Sequence, residues 1–500
     1  MAKRGWRRRL AVVPVLALAI GAGAIIQKPG WNEQSHYALV RALHNGTAQI
    51  DRYASQTGDS GRYKGHWYSN KAPGLAIFST PFYAATRAVG IRRSSAPHEI
   101  HLLTLFSCLI PFAVLLLLIE SFVERIVPGA GVPTAMLFGL GTMLLPFSTL
   151  FFSHVLAACL GFAAYYVLWL QRHAHRHVLT IGAAGLLSGL AIACEYPQGL
   201  LAVILAFYAL GRPPSFRRVM LFGGGVVVGA IPLLAYNWWA FGSPLSDAYV
   251  ATPASPVGHV KFLPFSLHAA LDLLFAGRGL LTVTPVLAAA VVGIVLLDRR
   301  GRRGEAAFAA VVSIGYLIFN ASYYMPFGGW SPGPRYLIDA LPFLALPLAA
   351  AFRRAPAATV ALGAVSAANM FVATVTIPEL PDSWSTTTWW DRLAHGVLAP
   401  PNGLGQVVWF GSFAVLALAI AAAITPRPQI DRAQLATAFL AIAGWLLVVR
   451  VGVSLLRDHT AGTELALIAI VASTVLLTWR TPREQPWRGI GRLLRAGRAG

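Results

Sequence analysis

Arginine recurs between apolar stretches of this chain, and its placement constrains the fold more than any other feature. Apolar runs begin at Leu10, His101, Thr134, Val155, Leu179, Leu200, Val219, Leu280, Ala306, Leu341, Ala357, Val407, Leu435 and Leu465. Alternate connections are rich in arginine, at residues 3–9, 125, 172–176, 212–218, 299–303, 353–354, 427–432 and 480–498. Because short loops rich in Lys and Arg remain cytoplasmic, the pattern predicts an all-α polytopic membrane protein. We expect about 14 transmembrane helices in the plasma membrane, with both termini cytoplasmic.

Composition agrees with a membrane protein. The chain of 500 residues is 56% hydrophobic, and its formal net charge is +21. A charge of this size is typical of nucleic-acid-binding proteins, but here it is divided among short clusters and no soluble basic domain exists in the sequence. Topology and contact with anionic membrane lipids account for it, so no nucleic-acid partner is predicted.

The sequence divides into four segments. Residues 1–27 are predicted to form the first transmembrane helix with a basic cytoplasmic start, and residues 28–99 a large outer loop carrying surface helices. Residues 100–480 form the transmembrane helix bundle, and residues 481–500 a basic cytoplasmic tail. The first segment resembles a secretion signal, but the many later spans favour an uncleaved helix. The tail fits either a helix lying on anionic lipid or a disordered basic segment.

Two apolar segments differ from ordinary membrane spans. Residues 72–89 contain Pro73 and Pro81, and a crossing there would move every later arginine cluster to the outer face. We therefore expect this segment to lie on the outer membrane surface. The 34 residues between His177 and Arg212 must cross twice, so their spans are short and their turn, Glu195-Tyr196-Pro197, lies within the outer leaflet.

The first outer loop is the most polar and aromatic part of the chain. Apolar spacing predicts a short amphipathic helix from Glu33 to Leu43. Two further acids, Asp51 and Asp59, follow this helix. A dense group then contains Tyr53, Tyr63, His66, Trp67, Tyr68 and Lys71. Aromatic rings among polar donors suit a sugar-binding cleft, and they equally suit an interfacial aromatic belt.

Several segments resemble the GT-C superfamily of polyprenyl-phosphate-dependent glycosyltransferases, which includes protein O-mannosyltransferases and lipid A aminoarabinose transferases. Residues 31–37 (WNEQSHY) resemble the Asp-Glu-x-x-Tyr entry of that superfamily, and residues 70–75 (NKAPGL) its Lys-Pro-Pro element. Residues 195–197, 237–244 and 328–336 resemble recurring outer-face segments of bacterial family-39-like members. The resemblance covers roughly residues 10 to 350. One departure is that Asn32 stands where the pattern usually has Asp.

The resemblance implies transfer of a sugar from a polyprenyl-phosphate donor to an envelope glycan, lipid or protein acceptor, by an inverting mechanism at the outer face. Such a reaction needs a carboxylate to take the acceptor proton and cations to stabilise the departing phosphate. The expected base is Glu33, ahead of Asp59 and Asp51. Lys71 and Arg335 are the expected phosphate-binding cations, although each also suits an interfacial anchor.

The other expected substrate-binding residues are His66, Tyr68, Glu195, Tyr196 and Trp330. Glu195 is an ionisable group at membrane depth, where such groups are costly and usually functional. It is expected to position the acceptor or to pair with Lys71 or Arg335, the alternative being a structural helix-end residue. No cofactor is predicted. Four histidines, His36, His44, His66 and His98, share the first loop with acids, but no pair shows the spacing of a zinc motif.

Two other functions compete with the glycosyltransferase. A transporter or lipid flippase is the main one, and it predicts paired charges or broken helices near the bilayer midplane. The acids of this sequence are instead concentrated in the predicted outer loops. A polymerase or ligase of lipid-linked polysaccharide is the other, and it predicts a large catalytic loop late in the chain. The late loop at residues 378–402 is shorter than the first loop.

Overall fold

The structure is a computed structural model that describes residues 10–91, 95–174, 177–211, 214–246, 261–381, 384–399, 403–447 and 449. Several predictions fall outside these residues, namely those on the basic start at 3–9, the last apolar run from Leu465 and the tail at 481–500. The described chain is mainly helical, with few residues in strands. Its residues form two compact units, which we name the loop unit and the terminal unit.

The loop unit comprises Ile26–Leu115 and Phe147–Phe262 and contains the predicted outer loop. The terminal unit comprises the described residues within Met1–Ile25, Leu116–Pro146 and Leu263–Gly500. In chain order the helices are α1 Val12–Ala22, α2 Trp31–His44, α3 Gly74–Ala88, α4 Ala96–Ile126, α5 Gly131–Gly141, α6 Leu144–Ser148, α7 His154–His173, α8 Thr180–Cys194, α9 Gln198–Leu210, α10 Phe216–Phe241, α11 Leu267–Phe275, α12 Leu280–Val283, α13 Val286–Arg299, α14 Arg303–Ala321, α15 Ala345–Arg354, α16 Pro356–Val375, α17 Thr387–Ala394, α18 Leu404–Ile424 and α19 Arg432–Leu447. Short 3₁₀ helices lie at Asp51–Gln56 and Arg335–Leu344.

The described helices establish a multi-pass membrane protein, with fewer long spans than the 14 expected. Seven helices are long and apolar enough to cross a membrane, or up to eight if the bent pair Leu267–Val283 and Val286–Arg299 is one span. Five shorter apolar helices accompany them, and α8 and α9 are among these. The 15 and 13 residues of α8 and α9 agree with the short spans expected on either side of Glu195.

The first loop contains a β-hairpin that the sequence analysis did not predict. Strands β1 Ser60–Tyr63 and β2 His66–Ser69 pair antiparallel around a two-residue turn. Both turn residues have positive φ, 48° at Lys64 and 88° at Gly65. Positive φ at both central positions matches the right-handed twist of the strands. The sequence signal for this turn is Lys64-Gly65 between aromatic residues. Those aromatic residues also suit a sugar-binding cleft or an interfacial belt, the two interpretations given above.

The segment predicted to lie on the membrane surface forms α3, a helix of 15 residues that is not among the candidate spans. Its Leu75 is fully buried in the core of the loop unit, whereas Phe78 is exposed. At its first residue, a Cβ on Gly74 would lie 2.4 Å from the carbonyl oxygen of Ala193. Only glycine allows this approach, which places the start of α3 directly against the end of α8.

Glycines also set the packing of α8 against α10. A Cβ on Gly185 or Gly189 of α8 would lie 2.0 or 2.2 Å from a backbone oxygen of α10. Reciprocally, a Cβ on Gly225 or Gly229 of α10 would lie 2.1 or 2.2 Å from a backbone oxygen of α8. Each helix thus presents two glycines four residues apart, the spacing that lets membrane helices approach closely. Of the three consecutive glycines at residues 223–225, Gly225 makes this close contact, whereas a Cβ on Gly223 or Gly224 would meet no atom within 4 Å.

A buried arginine organises the loop that carries Trp330 and Arg335 in the terminal unit. The guanidinium of Arg278 donates to the carbonyl oxygens of Gly329, Ser331 and Leu380 at 3.0, 3.2 and 2.7 Å. It also lies 4.4 Å from the ring centre of Phe327. Ser331 and Leu380 pair as an isolated antiparallel bridge. Arg278 therefore supplies hydrogen-bond donors to backbone carbonyls that lie outside the helices.

We predict that Gly189→Ala destabilises the protein, because the added methyl group forces α8 and α10 apart. The cost of such overpacking is about 1–3 kcal/mol. Gly224→Ala is the matched control, since a Cβ there meets no atom within 4 Å. The midpoint of thermal unfolding of detergent-purified protein should fall for the first variant and stay level or rise for the second. Equal midpoints would contradict the packing role of these glycines.

We also predict that Arg278→Leu lowers the unfolding midpoint strongly. Removing one partner of a buried hydrogen-bond network leaves the other groups unsatisfied, at about 1–3 kcal/mol each. Arg278→Lys should recover only part, because the lysine side chain is one bond shorter and does not carry its nitrogen to the place of Nη1, which makes all three contacts. Arg303→Leu is the control: Arg303 pairs with Asp298 at 3.2 Å, but its side chain is 81% exposed. If the unfolding midpoint of Arg278→Leu is as high as that of Arg303→Leu, Arg278 does not stabilise this loop.

Candidate functional site

Glu33 lies in the first turn of α2 and caps that helix. Its Oε2 accepts a hydrogen bond from the backbone N–H of Gly30 at 3.0 Å. This contact explains why the helix begins at Trp31, since the carboxylate satisfies an N–H that has no partner within the helix. The side chain is only 1% exposed. It lines a small pocket with Gln27, His101, Thr104 and Thr149.

Asp59 and Lys71 form an ion pair in the first loop, with Oδ2 and Nζ 2.9 Å apart. The side chains are 16% and 10% exposed, so the pair is largely shielded from water but reachable. From the sequence, Asp59 is a candidate base and Lys71 a candidate phosphate-binding cation. The structure brings these two together.

Hydrogen bonds hold the backbone of this pair against the first turns of α2. The hydroxyl of Ser35 donates to the carbonyl oxygen of Asp59 at 2.6 Å and lies 2.7 Å from the hydroxyl of Ser69. Ser69 Oγ in turn accepts from the backbone N–H of Lys71 at 3.2 Å. On the other side, Thr57 Oγ1 accepts from the N–H of Asp59 and donates to the carbonyl oxygen of Trp31. Asp59 is therefore docked on residues 31 and 35, on either side of Asn32.

Asp51 and His66 lie together on the exposed side of the same loop. Asp51 Oδ2 is 2.8 Å from His66 Nδ1, and Asp51 Oδ1 accepts from the backbone N–H of Trp67 at 2.7 Å. Asp51 thereby ties the 3₁₀ helix to β2. The ring of Tyr68 is buried and lies 5.2 Å from that of Phe241, between centres. Tyr68 is therefore placed in the core of the loop unit, and no contact with a substrate is assigned to it by the structure.

A second polar cluster fixes α2 against α3 and α4. The Tyr37 hydroxyl donates to Glu99 Oε2, while Arg87 lies 2.6 Å from Glu99 Oε1 and 2.8 Å from the Tyr83 hydroxyl. Burial, with the Glu99 carboxylate as a further cause, raises the pKa of Tyr37 above its usual range, so this hydroxyl stays protonated and donating. The helices α2, α3 and α4 are thus cross-linked through Glu99 and Arg87.

Glu195 follows the last residue of α8 and binds the start of α7. Its Oε1 accepts a hydrogen bond from Ser153 Oγ and lies 3.4 Å from Nδ1 of His154. The imidazole of His154 is buried between Phe147 and Phe152, with ring centres 5.4 and 6.0 Å away. The expected partners of Glu195 were Lys71 or Arg335, and the sequence analysis missed His154. In the sequence, His154 is marked only by its position directly before the apolar run from Val155.

The remaining candidates are partly accessible. Tyr196 is half-buried beside Glu195, and in the terminal unit Trp330 is 64% exposed. The Arg335 guanidinium is also half-buried and lies 3.3 Å from the hydroxyl of Tyr336. A Cβ on Gly328 would lie 2.6 Å from Arg335 Nε, so the glycine leaves room for the side chain. Among the described residues no group of three or more His, Cys, Asp or Glu is arranged to hold a metal ion.

No family model matches the chain, and no curated protein matches it significantly. Solved structures do resemble it. ArnT from Cupriavidus metallidurans in the apo state has a TM-score of 0.49 and 16% identity, over 95% of this chain and 77% of that chain. ArnT bound to undecaprenyl phosphate gives 0.48 and 14%, over 95% and 76%.

The oligosaccharyltransferase AglB from Archaeoglobus fulgidus, in complex with an inhibitory peptide and a dolichol-phosphate, gives a TM-score of 0.44 and 12% identity. That match covers 99% of this chain and 64% of AglB. ArnT, a lipid A aminoarabinose transferase, and AglB are both GT-C glycosyltransferases. At these scores the likeness concerns the general arrangement of helices, and it carries no argument about chemistry.

Proposed function

We propose that this protein is a membrane glycosyltransferase that moves a sugar from a polyprenyl-phosphate donor to an acceptor hydroxyl at the outer face of the plasma membrane. The observation that carries the proposal is the ion pair of Asp59 and Lys71. Glycosyl transfer from a lipid phosphate needs a carboxylate for the acceptor proton and a cation for the departing phosphate. The loop supplies both groups within 2.9 Å of each other, shielded from bulk water.

Asp59 is the best placed of the three candidate bases. Asp51 is occupied by two contacts with residues 66 and 67 of β2, and Glu33 is buried and caps α2. Asp59 is docked on residues 31 and 35 of α2. It can therefore supply, from another part of the chain, the carboxylate that the motif lacks at Asn32.

The proposed reaction is a single displacement. The acceptor oxygen attacks the anomeric carbon while the bond from that carbon to the phosphate oxygen breaks, and the configuration inverts. Asp59 takes the acceptor proton, and the phosphate leaves on the polyprenyl chain next to Lys71. Without donor, Asp59 and Lys71 neutralise each other; a bound phosphate competes for the ammonium and frees the carboxylate.

The contact between Gly74 and Ala193 supports an acceptor role for Glu195. Lys71 precedes Gly74 by three residues, and Glu195 follows Ala193 by two, so the two side chains start from adjoining backbones. In the proposal Glu195 and Tyr196 orient the acceptor, and His154 and Ser153 hold Glu195. The expected roles of Arg335 in phosphate binding and of His66, Tyr68 and Trp330 in sugar binding stay predictions. The acceptor is an envelope glycan, lipid or protein.

One observation favours a transporter as the second candidate. His154 and Glu195 form a shielded imidazole–carboxylate pair between apolar helices, and such pairs occur in proton relays. Purified protein in liposomes separates the two functions. A transporter predicts proton flux that His154→Leu abolishes, with no binding of polyprenyl phosphate and no sugar transfer.

We predict that Asp59→Asn lowers sugar transfer about a hundred- to ten-thousand-fold, which is the usual contribution of a positioned general base. Lys71→Met should lower both turnover and donor binding, because the cation assists more as leaving-group charge develops. The assay uses membranes with a labelled lipid-phosphate sugar at matched protein levels. Asp51→Asn is the control from the same loop and should retain transfer. Near-wild-type transfer by Asp59→Asn would move the base to Glu33.

We predict that exchanging the pair, Asp59→Lys with Lys71→Asp, restores stability but not transfer. The exchange keeps the ion pair, so the unfolding midpoint should recover relative to either single variant. It moves the carboxylate and the ammonium to each other's positions relative to the substrate, so chemistry should stay lost. Recovery of transfer together with stability would show that the pair is purely structural.

We predict that the first loop faces outward and the connection before α14 faces inward. The three cysteines of the chain are buried, so an impermeant maleimide should label introduced cysteines only. Ser55→Cys, which precedes α3 in the chain, and Ser95→Cys, which follows it, should both react in intact cells. Gly304→Cys should react only after permeabilisation. Labelling of Ser55→Cys but not Ser95→Cys in intact cells would show that residues 72–89 cross the membrane.

A further inference from the structure

Asn70 is a buried amide without a hydrogen-bond partner, next to the proposed catalytic pair. Its side chain is 0% exposed, and neither Oδ1 nor Nδ2 has a hydrogen-bond partner among the described residues. The backbone around it is well held, because the N–H of Asn70 donates to the carbonyl oxygen of Asp59 at 3.4 Å. Its neighbours Ser69 and Lys71 belong to the network described above.

Leaving such a group unpaired is costly. Burying an amide without a compensating hydrogen bond opposes folding, and most buried polar side chains have a partner for this reason. A leucine at this position would fill a similar space at no such cost. The amide therefore calls for a partner that is bound during function.

The unpaired atoms restrict the chemistry of that partner. Nδ2 can only donate and Oδ1 can only accept. A phosphate offers acceptors alone and would leave Oδ1 unpaired, and a cation would leave Nδ2 unpaired and be repelled by Lys71. A hydroxyl both donates and accepts, so one or two sugar hydroxyls satisfy both ends of the amide.

We propose that Asn70 binds hydroxyl groups of the donor sugar and so orients the ring for transfer. This inference rests on the proposed function, in which Lys71 holds the donor phosphate. The sugar is joined to that phosphate at the anomeric carbon, and Asn70 directly precedes Lys71, so the two residues start from Cα atoms about 3.8 Å apart on one segment. Asn70 thus distinguishes the glycosylated lipid from the bare lipid phosphate.

The decisive variant is Asn70→Leu, because the inference predicts opposite effects on stability and on activity. Without substrate the unfolding midpoint should stay level or rise, since an unpaired amide is removed. The KM for donor should rise about ten- to a hundred-fold, because two hydrogen bonds to the sugar are lost. Asn237→Leu is the matched control: its Nδ2 donates to the carbonyl oxygen of Pro244 at 3.2 Å, so that variant should lose stability.

Binding measurements separate sugar recognition from phosphate recognition. The probes are undecaprenyl phosphate alone and a panel of undecaprenyl-phosphate-linked hexoses and pentoses. Asn70→Leu should bind bare undecaprenyl phosphate like the wild type and bind the glycosylated probe that the wild type prefers at least tenfold more weakly. Asn70→Asp keeps the acceptors but loses the donor, and it should recover only part of the preference.

Three outcomes would overturn the inference. A fall in the midpoint of Asn70→Leu like that of Asn237→Leu would show that the amide is bonded within the folded protein, for example to a resident water. Unchanged transfer by Asn70→Leu, with Asp59→Asn inactive, would remove Asn70 from the site and leave the proposed function standing. If the wild type binds no polyprenyl phosphate and transfers no sugar, the proposed function itself fails and the inference falls with it.

Discussion

A lipid bilayer offers no hydrogen-bonding partners, and this constraint underlies nearly every element of the protein. Backbone amides and carbonyls inside the hydrocarbon must pair within the chain, so apolar runs become helices. Where the backbone leaves helical structure beside such runs, polar side chains contact it. Arg278 binds the carbonyls of residues 329, 331 and 380, and Ser153 and His154 bind Glu195 where α8 ends. These polar contacts are therefore found at interruptions of the apolar bundle.

Close backbone contacts determine which interruptions come together within the loop unit. Gly74 brings the start of α3 against the end of α8, and the paired glycines of α8 and α10 bring those helices into backbone contact. Side chains alone would not place these segments so near each other, because a Cβ atom at any of these positions would overlap a carbonyl. As a result, the segment that carries Lys71 adjoins the turn that carries Glu195.

The first loop holds both paired and unpaired polar groups around the ion pair of Asp59 and Lys71, and Asn70 is the one whose two amide atoms both lack a hydrogen-bond partner among the described residues. Ser35 and Ser69 bond to each other, and together with Thr57 they satisfy the backbone around Asp59 and Lys71. Tyr37, Glu99 and Arg87 link α2, α3 and α4. Against this rigid background the amide of Asn70 has no partner among the described residues. A preorganised site keeps such a group in place at a cost in stability and recovers that cost when substrate binds. Asn70→Leu tests this relation directly.

The sequence by itself determined that this is a helical multi-pass membrane protein, because hydropathy is a local property. Each long apolar run indicates a membrane helix without any knowledge of tertiary contacts. The sequence also indicated the first loop, Glu195 and the segment around Arg335 as places for chemistry, because polar and aromatic residues next to apolar runs stand out without any knowledge of contacts. Tertiary structure decided which of these residues meet. Asp59 pairs with Lys71 and docks beside Asn32, Asp51 pairs with His66, and Glu195 pairs with His154. Such pairings join residues 12 to 41 positions apart and depend on a two-residue turn and on glycine contacts between helices. Residue type and spacing along the chain do not show which segments approach each other in the fold. A carboxylate in a loop looks the same in the sequence whichever cation it contacts.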